Sequence, residues 1–154
     1  MNRLTYFSSR LTNPFNTISR SSFLIPERVS HIQTDGSFGF QYKKISRTAC
    51  IMQDSKKHNR SIINTYLDHK NSYESEWCSV VDGIDFAIKK KEYTLEIEND
   101  NLSLIKCLIN KKRPAQKYVV DYFDYVMDIS SSIDYLGVRW IPRELNKADA
   151  LFKM

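Results

Sequence analysis

No run of apolar residues in this 154-residue chain approaches the roughly 18–20 that a membrane-spanning helix requires. Cysteine is scarce. Cys50, Cys78 and Cys107 are odd in number and far apart, and no C-x-x-C pair or Cys/His zinc spacing occurs. That excludes a disulfide framework and reads as buried, reduced thiols in an intracellular protein. His31, His58 and His69 also lack metal-ligand spacing. What remains is the make-up of a globular protein: 42% of residues are hydrophobic, which argues against wholesale disorder, and the length suits one domain with its own core. The net charge is +5 and the pI about 9.1, a mildly basic balance.

Against that basic background stand four carboxylates in four separate short motifs. They are Asp35 in Thr34-Asp35-Gly36-Ser37, Glu76 in Glu74-Ser75-Glu76-Trp77, Asp100 in Glu98-Asn99-Asp100-Asn101, and Asp149 in Asn146-Lys147-Ala148-Asp149. Gathered and buried, such groups repel one another. Divalent cations between them relieve the repulsion, and hard Mg²⁺, held by a few carboxylates and by substrate phosphates, suits the all-oxygen donor set. A basic chain with an acidic cluster fits a polyanionic substrate, which needs both metal and basic walls.

Residues 1–28 differ from the rest. Arg3, Arg10, Arg20 and Arg28 lie among many hydroxyls, with no acid before Glu27. This is the composition of a mitochondrial presequence, and equally of a basic arm that is flexible or packed on the domain. Asn13-Pro14 and Pro26 interrupt any long helix there. The folded domain is expected to span residues 29–154.

Alternating apolar residues predict strands at Val29–Thr34, Ile45–Met52 and Ser61–Asp68, separated by turn-forming segments, as in an antiparallel meander. From Ser72 the period changes to that of a helix, with Trp77, Val80, Val81, Ile84, Ala87 and Ile88 on one face. Tyr93–Glu98 reads as a strand, Leu102–Ile109 and Tyr118–Met127 as helices, and Leu136–Ile141 as a fifth strand. Leu145–Met154 reads as a short terminal helix with Ala148, Leu151 and Phe152 on one side. The order β-β-β-α-β-α-α-β-α gives an α/β fold. Its five-stranded mixed sheet has strands 1–3 antiparallel and strands 4 and 5 parallel to strand 1, with helices flanking it. Sites in such sheets lie at the carboxyl ends of the strands. Asp35 and Asp100 are placed at the ends of strands 1 and 4, Glu76 in the first turn of the first helix, and Asp149 on the terminal helix. Asp82 and Asp85 read as helix surface.

The ordered set TDGS, ESEW, ENDN and PRELNKAD resembles the type 1 ribonuclease H family of the ribonuclease H-like fold over residues 29–154. The resemblance implies an endonuclease that cuts the RNA strand of RNA–DNA hybrids with Mg²⁺ or Mn²⁺, its metal site formed by Asp35, Glu76, Asp100 and Asp149. In the two-metal mechanism so implied, Asp35 bridges both ions. Asp100 and Asp149 hold the ion that activates water, and Glu76 holds the ion at the leaving 3′ oxygen. Ser37, Asn71 and Asn101, beside these motifs, are candidates for the hybrid's minor groove, where 2′-hydroxyls mark RNA. Lys111, Lys112 and Arg113 stand where some members carry a basic substrate-binding protrusion; Lys43, Lys44 and Arg47 are further candidates for phosphates. Glu98 shares a strand face with Asp100 and is a candidate outer-shell group. The chain departs from the family pattern in three places: few glycines between strands 1 and 2, no histidine after His69 (Arg143 or Glu144 stands nearest), and one residue fewer before the last Ala-Asp pair. The alternative reading is a non-catalytic module of the same fold, binding nucleic acid or serving as a structural subunit of a larger assembly. Degraded acids are its expected signature, and all four are present. A third is another nuclease or transposase-type enzyme on this fold.

Overall fold

Period-two alternation along the second strand sets the layers of the molecule. Ile32 and Thr34 face a helix, while Gln33 and Asp35 face the opposite side of the sheet. The computed structural model describes residues 14–21 and 28–153. Its strands are β1 (Asn16–Arg20), β2 (Ser30–Phe38), β3 (Ser46–Gln53), β4 (Asn59–Tyr66), β5 (Thr94–Asn99) and β6 (Tyr135–Trp140). Its helices are α1 (Ser72–Lys89), α2 (Leu102–Ile109) and α3 (Val120–Ser130), and 3-10 turns cover Phe40–Tyr42, Lys117–Val119, Arg143–Leu145 and Lys147–Lys153. The strands form one sheet in the order β1-β6-β5-β2-β3-β4. β2, β3 and β4 are antiparallel neighbours, and β5 and β6 run parallel to β2. This is the expected mixed α/β sheet, with one strand more.

The sixth strand corrects the boundary at residue 29. β1 pairs antiparallel with β6, Asn16 opposite Val138 and Arg20 opposite Tyr135, and Ile18 enters the core. Ile18 is the strand's single apolar side chain, so β1 carries almost no alternation to read. The possibility of a targeting presequence falls largely on residues 1–13 and 22–27, outside the described residues.

One face of the sheet holds the main core. Trp77, Val80, Ile84 and Ala87 of α1 are fully buried there with Ile32, Met52, Leu95, Ile97, Leu136 and Val138 of the sheet. A side chain at Gly83 would meet Thr34 Cγ2 at 2.7 Å, so the glycine sets how closely α1 lies on β2. Both α1 and α2 begin on asparagine caps: Asn71 Oδ1 accepts from Glu74 N and Asn101 Oδ1 from Leu104 N, each at 3.0 Å. Both end on paired backbone bonds past a left-handed lysine. Lys91 (φ 61) and Lys111 (φ 53) stand where glycine is usual. After α2, Lys111 N donates to Leu108 O and Lys112 N to Cys107 O.

Two further expectations are corrected. The terminal segment is not an α-helix but two 3-10 turns joined by an extended Asn146 (φ −86, ψ 105). The backbone there bonds outward to the sheet, where Gln33 takes up Leu145 O and Lys147 N. The segment packs Ala148 on Ala49 and Ile51 of the second face, with Leu151 and Phe152 beside them. Asp82 is not a bare surface acid. Its carboxylate accepts from Thr48 Oγ1 at 2.6 Å, Tyr66 OH at 2.7 Å and Asn64 Nδ2 at 3.3 Å, tying α1 to β3 and β4. Asp85 accepts from Tyr125 OH of α3. Asp82→Ala strands three donors and is expected to cost about 2–3 kcal/mol by chemical denaturation, against under about 1 kcal/mol for a solvated acid.

Candidate active site

The site begins with a backbone contact. A Cβ on Gly36 would lie 2.5 Å from Ser75 C and 2.6 Å from Glu76 N, so the second turn of α1 rests directly on β2. Glu76, the fifth residue of α1, lies just past the first turn rather than within it, and still reaches the strand. Its Oε1 accepts from Gly36 N at 2.5 Å, and the same N–H lies 3.0 Å from Asp35 Oδ1. Asp35 itself is not at a strand end. β2 continues to Phe38 because β3 pairs with it throughout, whereas its pairing with β5 stops at Gln33. The shorter neighbour opens the sheet beside Asp35.

Asp100 follows β5, as expected, and its backbone is fixed. Trp140 Nε1 donates to Asp100 O at 3.0 Å. Asn99 Nδ2 donates to Thr34 O at 3.1 Å and to Thr34 Oγ1 at 3.0 Å, while its Oδ1 accepts from Asn101 N at 2.8 Å. One oxygen each of Asp35, Glu76 and Asp100 consequently lie within 4.8 Å of one another. Asp149 stands apart from this triad but lines the same cavity of about 350 Å³, with Gly36, Ser37 and Arg143. Its Oδ2 is 3.2 Å from Lys153 Nζ.

Burial dominates the electrostatics. It raises the Asp35 carboxyl far above its ordinary value, and the charge of Asp100 adds to the rise. Glu76 rises for the same reason, with Asp35 and then Asp100 adding repulsion. Asp100 is also raised by burial, opposed by the hydrogen bond with Glu76 and by the positive charge of Arg143. The described donors are hard oxygens, without histidine or thiolate, and fit a small divalent cation rather than a soft one.

The remaining predicted residues are placed as follows. Ser37 lines the cavity, and its carbonyl accepts from Ser75 Oγ at 3.2 Å. Asn71 and Asn101 spend Oδ1 on helix caps, and Asn71 Nδ2 donates to Tyr118 OH at 2.8 Å. Lys111, Lys112 and Arg113 are exposed outside the acid cavity; Arg113 Nε pairs with Asp124 at 3.0 Å. Lys43 and Lys44 are exposed, while Arg47 is held between the Phe40 and Phe152 rings, 3.8 and 4.9 Å from their centroids. Glu98 faces Arg139, not the acids. Asn99, Asn146, Trp140 and Gly36 shape the site without having been singled out. Three of them sit inside the motifs, the available signal.

Two outcomes follow from this geometry. Gly36→Ala forces α1 off β2 and is expected to lower stability by about 1–3 kcal/mol while weakening binding of divalent ions by calorimetry. A carboxyl raised on folding makes the native state bind more protons than the unfolded chain, so stability falls as pH rises above the ordinary carboxylate range. Metal-free protein should thus melt lower at about pH 8 than at about pH 5.5. Asp35→Asn should melt higher than wild type, most clearly at the higher pH, and Mg²⁺ should restore wild type most at that pH.

The reverse transcriptase-like family model matches residues 33–154, most of the chain. No curated protein sequence matches it significantly. Among solved structures, RNase H1 from the halophilic archaeon Halobacterium salinarum superposes with a TM-score of 0.71 at 14% identity, covering 80% of this chain and 93% of its own. An N-terminal RNase H domain from Mycobacterium tuberculosis gives 0.70 at 13%, covering 81% and 91%. LC11-RNase H1, solved in complex with RNA/DNA hybrid, gives 0.67 at 16%, covering 79% and 92%. At such identities the superpositions speak for the fold, and the family model speaks for descent. The chain belongs to the reverse transcriptase-like family, a type 1 ribonuclease H family with the ribonuclease H-like fold.

Proposed function

We propose that this protein is an endonuclease that hydrolyses the RNA strand of RNA–DNA hybrids with a pair of divalent cations, Mg²⁺ or Mn²⁺. The observation that carries the reading is the meeting of Asp35, Glu76 and Asp100 within 4.8 Å, with Asp149 across the same cavity. Carboxylates brought so close in a buried setting disfavour one another unless cations stand between them. The LC11 neighbour, bound to RNA/DNA hybrid, supports the substrate class.

Asp35, Glu76, Asp100 and Asp149 are the residues that would hold the ions. When bound, the ions supply an activated water and charge stabilisation at the leaving oxygen. Hydrolysis forms a new bond from the water oxygen to phosphorus and breaks the bond to O3′, leaving a 5′-phosphate and a 3′-hydroxyl. The chain's own part is positional. Gly36 N–H orients both Asp35 and Glu76, and Trp140 and Asn99 hold Asp100 at the end of β5. Arg143 lines the cavity and brings positive charge to a site that must admit phosphate. Ser37, on the same wall, is the candidate for reading the 2′-hydroxyl, the mark of RNA. Lys111 and Lys112 are candidates for phosphate contacts beyond the cavity.

The test is cleavage of a labelled RNA–DNA hybrid beside duplex DNA and duplex RNA. Hybrid should be cut internally in Mg²⁺ or Mn²⁺, the duplexes should survive, and Asp35→Asn should lose at least about 100-fold of the rate. Failure to cut hybrid in either metal, or equal cutting by Asp35→Asn, would sink the reading.

A further inference from the structure

The second face of the sheet carries a row of buried polar side chains that the four acids do not explain. Gln33, Glu98 and Arg139 occupy partnered positions on β2, β5 and β6, and none is more than 6% exposed. Arg139 donates to Glu98 Oε2, through Nε at 3.1 Å and through Nη2 more closely, and the Phe15 ring covers its guanidinium at 3.9 Å. A buried ion pair often adds little stability over well-packed apolar residues, so its geometric effect on its neighbours is the more informative feature.

That effect falls on Gln33. Gln33 Nε2 donates to Glu98 Oε1 at 2.9 Å. A carboxylate paired with a guanidinium only accepts hydrogen bonds, so Glu98 fixes which end of the Gln33 carboxamide turns toward it. The nitrogen end then also donates to Leu145 O at 3.3 Å, and the oxygen end accepts from Lys147 N at 2.9 Å. These two bonds clamp the backbone on either side of Asn146. Asn146 Nδ2 donates in turn to Thr34 O at 2.9 Å, and its Oδ1 accepts from Ala148 N at 3.1 Å. Asp149 is the next residue. Beyond it, Arg47 donates to Phe152 O at 3.4 Å from between two aromatic rings. The acid is thus carried on a segment without α-helical bonding of its own, held to the sheet from both ends.

We propose that Gln33 is a positioning residue for Asp149, its carboxamide locked by the Glu98–Arg139 pair so that the terminal segment presents Asp149 to the acid triad. The inference rests on the metal-dependent reading of the site. Gln33 lies two residues before Asp35 on the same strand face, so one strand supplies both the central acid and the clamp for the most distant one.

The experiment is calorimetric titration of Mn²⁺ alone into the full chain as wild type, Gln33→Met, Asp149→Asn and the double variant, with amide hydrogen exchange recorded at Lys147 and Ala148. Gln33→Met keeps the side-chain volume and removes the clamp; Lys147→Pro removes the same bond from the exposed side if the buried substitution fails to fold. Either should weaken the Mn²⁺ site that depends on Asp149 about 10–100-fold, the range for an outer partner of a metal ligand. The double variant should bind no more weakly than Asp149→Asn. Wild-type affinity in the clamp variants, or losses that add to those of Asp149→Asn, overturns the proposal while leaving the metal reading intact. If wild type binds no Mn²⁺, that reading fails instead, and exchange decides the clamp: faster exchange at Lys147 and Ala148 in Gln33→Met supports it, and unchanged exchange overturns it.

Discussion

The backbone of α1 lies so close to Gly36 that no side chain fits between them, and the site depends on that contact. It brings Glu76 from a helix to the acid of a neighbouring strand and lets a single N–H serve both carboxylates. It also forces repulsion. Unit charges 4.8 Å apart repel by roughly 3–4 kcal/mol at an effective dielectric near 20, before the cost of burial is counted. Hydrogen bonds from one amide do not offset that. The repulsion is relieved by protons or by cations, and the all-oxygen donor set is compatible with a hard divalent ion.

The rest of the fold serves that contact from two sides. On the helix side, Trp77, Val80, Ile84 and Ala87 bury α1 against the sheet, Gly83 admits Thr34, and Asp82 draws three donors from β3 and β4. Those anchors fix the direction of α1 and hence of Glu76. On the far side, Thr34 O receives both Asn99 and Asn146, so one carbonyl of β2 ties the strand carrying Asp100 to the segment carrying Asp149. Each acid arrives on a different element, and three meet while Asp149 lines the same cavity because β2 runs through the middle of all the connections.

Much of this was legible in the sequence because the signals were strong. About four turns of helical period placed α1, and the alternation of Val29–Thr34 placed the first part of β2. The four acids followed from motifs in order, and three of them meet as read. What escaped was weakly patterned. β1 has one apolar residue in five, and its basic neighbours looked like a leader. The terminal segment has helical composition, but Gln33 and Asn146 take its backbone bonds, and nothing local in the sequence announces a partner over a hundred residues away. Asp82 looked solvated because its donors lie on strands distant in sequence. The basic run Lys111-Lys112-Arg113 looked like a binding element, and its backbone first of all ends α2.

The central claim is that the four acids are a site for a pair of divalent cations. Anomalous diffraction from crystals soaked in Mn²⁺ tests it most directly. Two peaks about 3.5–4 Å apart are expected in the cavity lined by Asp35, Glu76, Asp100 and Asp149. No peak there, or an ion bound elsewhere with the acids unliganded, would contradict the account.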